Sequence, residues 1–84
     1  MKQAIIIGAS SGIGYELAIQ LAAQGYQLGL MARRIERLNE LSELLPGEHF
    51  VQVTDLVDTD IARTQLASLI DVMGDVELIV VNSG

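Results

Sequence analysis

The residues best suited to chemistry in this chain are the glycines and serines of GASSGIG, positions 8–14. They follow directly on the apolar run Ala4-Ile5-Ile6-Ile7. That run reads as a buried strand, and a helix beginning near Gly12 would present unsatisfied N–H groups and a partial positive charge in its first turn. Such a terminus suits a phosphate. Gly8 would permit the tight turn out of the strand. Gly12 would remove a side chain where the anion approaches, and Gly14 would let the helix lie close on the strand. Ser10 and Ser11 add hydroxyl donors beside them. The plainer alternative is a glycine-rich turn with no ligand. The spacing G-x-x-x-G-x-G is not the G-x-G-x-x-G fingerprint, and no G-K-[ST] follows to make a Walker A loop.

These residues need a scaffold, and the chain supplies an alternating one. Gln3 to Ile7 reads as a strand. Residues 12–24 place Ile13, Leu17, Leu21 and Ala22 on one helical face, with Gly25 as a stop. A second strand spans 27–32. Residues 34–45 set Ile35, Leu38, Leu41 and Leu45 at helical spacing, ended by Pro46-Gly47. A third strand covers 49–53. Asp58 or Thr59 can cap a helix carrying Ile61, Leu66, Leu69, Ile70 and Met73, closed by Gly74. ELIVVN at 77–82 is the fourth strand. Strands alternating with helices on short connections predict a parallel α/β sheet, doubly wound in the order 3-2-1-4 with three helices. Ligands of such sheets bind at the carboxyl ends of the strands.

Three polar groups fall at those ends. Arg33 and Arg34 follow the second strand, Asp55-Leu56 the third, and Asn82-Ser83-Gly84 ends the fourth. No acid lies between Gly25 and Ile35, where a ribose-binding carboxylate would stand in an NAD site; Ala32 occupies that position. A guanidinium just beyond it suits a 2′-phosphate, which a carboxylate would repel. The residues therefore favour NADP over NAD. Arg34 could equally cap the following helix, and Asp55 could be a loop residue capping the third.

Glycine loop, ARR, Asp-Leu and Asn-Ser-Gly together, in register along the whole chain, resemble the short-chain dehydrogenases/reductases. That resemblance implies a Rossmann-like fold. It also implies cofactor contacts from Gly8, Ser10, Ser11, Gly12, Ile13 and Gly14. Arg33 would meet the 2′-phosphate of NADP(H), Asp55 the adenine amino group with the Leu56 backbone beside it, and Asn82 and Gly84 the adenine ribose. Ser83 stands where the family has Ala, and Val81 where it often has Asn. In the family a Tyr, a Lys four residues later and a Ser perform the proton chemistry of hydride transfer. The chain's only lysine is Lys2, so no Tyr-x-x-x-Lys occurs. The resemblance thus implies a single partial domain, 1–84, holding the adenine side of a site whose catalytic groups lie elsewhere. A non-catalytic dinucleotide-binding module and a ligand-free interaction scaffold are the competing readings.

Composition narrows the rest. The 84 residues are 50% hydrophobic and 4% aromatic, as in a globular domain. A net charge of −6 with no basic cluster beyond Arg33, Arg34 and Arg37 argues against a nucleic-acid partner. No apolar stretch reaches membrane-spanning length. The absence of cysteine rules out disulfides within these residues and fits a cytoplasmic protein. His49 reads as a solvated strand-end residue, Tyr15 and Tyr26 as packing residues, and Glu36, Glu40 and Glu43 as a solvated helix face. The strand at 77–82, apolar on both faces, would leave an unpaired sheet edge and predicts self-association.

Overall fold

The computed structural model describes residues 2–9, 12–55 and 57–82. Strands and helices alternate: β1 (Gln3–Ile7), α1 (Gly12–Ala23), β2 (Gln27–Ala32), α2 (Ile35–Leu44), β3 (Phe50–Val53), α3 (Thr59–Met73) and β4 (Leu78–Val81). The four strands are parallel in the order β3-β2-β1-β4. This is the doubly wound Rossmann arrangement that the sequence pattern predicts, with element ends moved by a residue or so.

Both faces of β1 and β2 are covered, which is why these strands are apolar runs rather than alternations. Ala4, Ile6, Leu28, Leu30 and Ala32 pack with Ala18, Leu21 and Ala22 of α1 and with Leu38 and Leu41 of α2. Ile5, Ile7 and Met31 turn the other way, onto Leu69 and Met73 of α3. Leu38 and Leu41 are fully buried; each contributes roughly 1.5–3 kcal/mol of apolar transfer. Gly25 ends α1 in a Schellman turn. Its φ is 93°; Tyr26 N–H donates to the Leu21 carbonyl and Gly25 N–H to that of Ala22. Asp58 caps α3 by accepting from the Ile61 N–H at 3.2 Å.

Two expectations from the sequence need correction. Ile13 is 76% exposed and is not part of the inward face of α1. The buried positions are Gly14, Ala18, Leu21 and Ala22. Apolar size singled out Ile13, but the position facing β1 is the neighbouring glycine, where no side chain fits. His49 is not simply solvated: its Nδ1 accepts from the Leu28 N–H at 3.0 Å, and its Nε2 lies 2.8 Å from the Pro46 carbonyl. These bonds hold the turn before β3 against the start of β2, and they fit the tautomer with the proton on Nε2.

Candidate functional site

Parallel pairing puts the carboxyl ends of all four strands on one edge of the sheet, and backbone bonds bind those ends into a continuous rim. Gly8 and Ala9 N–H both donate to the Met31 carbonyl, at 2.7 and 3.1 Å. Thr54 N–H donates to the Ala32 carbonyl and Asn82 N–H to the Ile7 carbonyl, each at 2.8 Å. The exits of β1, β2, β3 and β4, which carry Gly8, Arg33, Asp55 and Asn82, are thereby fixed side by side.

The three glycines of the first loop meet different surroundings. A Cβ on Gly8 would collide with the Asn82 carbonyl, and its φ of +85° is itself a glycine conformation. A Cβ on Gly14 would collide with the Gly8 carbonyl and come within 2.8 Å of Asn82 Nδ2. These two glycines are required by the protein's own packing. Around Gly12 nothing lies within 4 Å of where a Cβ would stand, and φ is +59°. Gly12 is exposed and opens α1 at the surface.

Asn82 holds this corner together. Its Nδ2 donates to the Gly8 carbonyl at 3.0 Å, across 74 residues of sequence. The family resemblance places the Asn82 segment along the adenine ribose and has it steady the central strands; the bond to the Gly8 carbonyl is a tie of the second kind, with a partner that sequence alone did not name. Thr54 was missed. It is 1% exposed, and its hydroxyl has no partner among the described residues.

Arg33 and Arg34 are exposed and make no ion pair among the described residues. Arg34 stands at the N-cap of α2 without a side-chain capping bond; its carbonyl accepts from Leu38 N–H. Asp55 is exposed and does not cap α3. Its Oδ1 accepts from the Val57 N–H at 3.0 Å, which shapes the loop. Ser10, Ser11, Leu56 and Gly84 lie outside the described residues. An open cleft of about 460 Å³, lined by Tyr26, Gln27, Glu48 and His49 among others, lies at the amino ends of β2 and β3. It is at the opposite end of the sheet from the rim, away from where open α/β sheets bind ligands.

A family model described as short chain dehydrogenase matches residues 2–84. The chain belongs to that family. A glucose 1-dehydrogenase of Gluconobacter oxydans is 33% identical to this short-chain dehydrogenase chain over 87 residues, covering 99% of it and 33% of the relative. An alcohol dehydrogenase from the archaeon Thermococcus sibiricus, solved with 5-hydroxy-NADP, superposes with a TM-score of 0.87 at 34% identity. It covers 94% of this chain and 35% of its own. An actinorhodin polyketide ketoreductase solved with NADPH has a TM-score of 0.86 at 28% identity, covering 99% and 33%. The chain spans about a third of the length of these relatives. Family membership establishes an oxidoreductase lineage with a dinucleotide-binding fold. Among the described residues, no helix is long and apolar enough to cross a membrane.

Proposed function

We propose that this chain is the NADP(H)-binding part of an oxidoreductase that moves a hydride between NADP(H) and a carbonyl or alcohol substrate. One observation carries the choice of coenzyme. An exposed guanidinium without an ionic partner among the described residues, Arg33, leaves β2 beside the glycine loop, and no carboxylate stands in the preceding strand or turn. The residues fit the coenzyme: no side chain or backbone crowds Gly12 where α1 begins, and a helix N-terminus is suited to a diphosphate. The coenzymes with which the two relatives were solved point the same way.

In this reading the main chain of Gly8, Gly12, Ile13 and Gly14, with Ser10 and Ser11, holds the diphosphate. The exposure of Ile13 suits that place. Arg33 pairs with the 2′-phosphate, and Arg34 lies near enough in sequence to assist. Asp55 and the Leu56 backbone hold the adenine edge; Asn82 and Gly84 lie along its ribose. The bound coenzyme supplies the hydride. With Lys2 as its only lysine, the chain lacks a Tyr-x-x-x-Lys pair, so these 84 residues bind nucleotide without turning over a substrate. A cytoplasmic setting and self-association along residues 77–82 belong to the same reading.

Calorimetry with NADPH, NADH and 2′-phospho-AMP tests it. NADPH and 2′-phospho-AMP should bind better than NADH. Arg33→Ala should remove about 1.5–3 kcal/mol, the scale of a charged hydrogen bond, from the phosphorylated ligands and leave NADH unchanged. Equal affinity for NADH and NADPH in the wild type would refute the role of Arg33; no binding of any ligand would favour a scaffold without nucleotide.

A further inference from the structure

We infer that His49 is a proton-sensitive latch: as a neutral ring it fastens the start of β2 to the turn before β3, and one added proton opens it. The backbone partners fix the roles in its two bonds. The Leu28 N–H can only donate, so Nδ1, 3.0 Å away, must be bare. The Pro46 carbonyl can only accept, so the ring proton sits on Nε2, 2.8 Å away. An imidazolium donates from both nitrogens. A proton on Nδ1 would therefore point at another N–H and turn an attraction into a repulsion.

The strand register explains why Leu28 depends on a side chain. In a parallel strand the N–H groups of successive residues turn to opposite neighbours. Gln27 N–H turns toward β1, to the Lys2 carbonyl, so the Leu28 N–H turns toward β3. The β2–β3 pairing starts one residue later, at Gly29 and Phe50. His49, the residue before β3, fills that gap with a ring nitrogen in place of a carbonyl. The Leu28 side chain is fully buried, and an amide left there without its acceptor carries the cost of an unsatisfied donor. A carbonyl in this position would be indifferent to pH; an imidazole is not.

The other ionisable groups at this corner do not substitute for that bond. Glu48 and Tyr26 line the same cleft, with the Lys2 ammonium 5.7 Å from the centre of the Tyr26 ring; the rest of the cleft's lining carries no ionisable group. The exposed Glu48 carboxylate draws a proton toward the ring and Lys2 opposes it, but neither relieves an N–H set against the N–H of Leu28. Acid therefore opens the latch. Above the imidazole range the ring is neutral in the folded and unfolded chain alike, and the bond contributes in full. Below that range the unfolded chain takes up a proton that the closed latch excludes, so stability falls as the pH falls. The two strands so joined lead, at their carboxyl ends, to Arg33 and Asp55.

Urea titration across pH tests this. His49 is the chain's only histidine and cysteine is absent, so from about pH 7.5 to about pH 5.5 the imidazole is the one side chain whose ordinary range is crossed. Over that interval the unfolding equilibrium constant should rise by up to about tenfold, the limit for one imidazole that titrates near 6.5 in the unfolded chain. His49→Asn places an amide oxygen where Nδ1 stands; it can accept from the Leu28 N–H without titrating, and the variant should lose the dependence. Two readings on the unaltered chain do not rely on a variant. Nitrogen NMR at about pH 7.5 should find the ring proton on Nε2, and on acidification the Leu28 amide should lose exchange protection before the Leu30 amide does. Stability unchanged over the interval, a ring proton on Nδ1, or a parallel loss in wild type and His49→Asn overturns the proposal.

Discussion

Gly14→Ala puts a single methyl where α1 rests on the glycine loop. Gly14 is helical with an ordinary negative φ, so alanine suits its backbone and would gain up to about 1 kcal/mol of helix propensity on an open surface. The surroundings decide otherwise. The new Cβ would run into the Gly8 carbonyl and lie 2.8 Å from Asn82 Nδ2. The carbonyl is backbone, anchored by the bonds of Gly8 and Ala9 to Met31, and cannot retreat freely. Overpacking of this kind costs about 1–3 kcal/mol, and displacing the Asn82–Gly8 bond adds about 1 kcal/mol. After the propensity gain, a net loss of about 1–3 kcal/mol remains. With a urea slope near 1 kcal/mol/M, the midpoint should fall by about 1–3 M. Urea titration followed by far-UV circular dichroism reads this directly. Gly12→Ala is the control: it meets nothing within 4 Å and carries only the left-handed penalty at φ +59°, about 1 kcal/mol. Gly12→Ala should hurt NADPH binding more than stability, and Gly14→Ala should hurt both. In the Asn82→Ala background one of the two clashes is gone, so the double variant should be less destabilised than the sum of the single ones. A Gly14→Ala protein as stable as wild type would refute the packing account of this loop.

Other substitutions test the surrounding frame. Thr54→Val replaces a buried hydroxyl that has no partner among the described residues with a methyl of similar size; stability should hold or rise, by up to about 1–3 kcal/mol. His49→Ala removes the acceptor of the Leu28 N–H at the start of β2 and should destabilise by about 1–3 kcal/mol in the same titration. Asp58→Ala deletes the cap of α3 and should cost about 1 kcal/mol, while Asp55→Ala should leave stability nearly unchanged and weaken nucleotide binding.

The fold was legible because its signals are local. Apolar runs at Ile5–Ile7, Leu28–Met31 and Leu78–Val81, with stops at Gly25, Pro46-Gly47 and Gly74, mark alternation without reference to tertiary contacts. What sequence hid depends on partners far along the chain. Residue size made Ile13 look like core, yet the inward position is Gly14, and only the approach of Gly8 explains it. His49 looked solitary because its partners are backbone groups, of Leu28 and Pro46, which no residue type announces. Asn82 reaches the Gly8 carbonyl only once β4 lies beside β1.

This distinction bears on the site itself. A glycine-rich loop alone does not separate glycines that a fold requires from glycines that a ligand requires. Here packing accounts for two of the three. Gly8 is demanded by the Asn82 backbone and Gly14 by the Gly8 carbonyl and the Asn82 amide, and they would be glycines in a loop that bound nothing. Gly12 touches no described atom that forbids a side chain, and its φ of +59° is one that asparagine also adopts at about 1 kcal/mol. Folding therefore asks less of Gly12 than of its neighbours. The clear space that its missing side chain leaves at the head of α1 is what a diphosphate would use, and Gly12→Asn separates the two demands. If the fold alone sets that residue, the variant should keep both stability and NADPH affinity. If the proposed phosphate contact sets it, stability should change by no more than about 1 kcal/mol while affinity collapses.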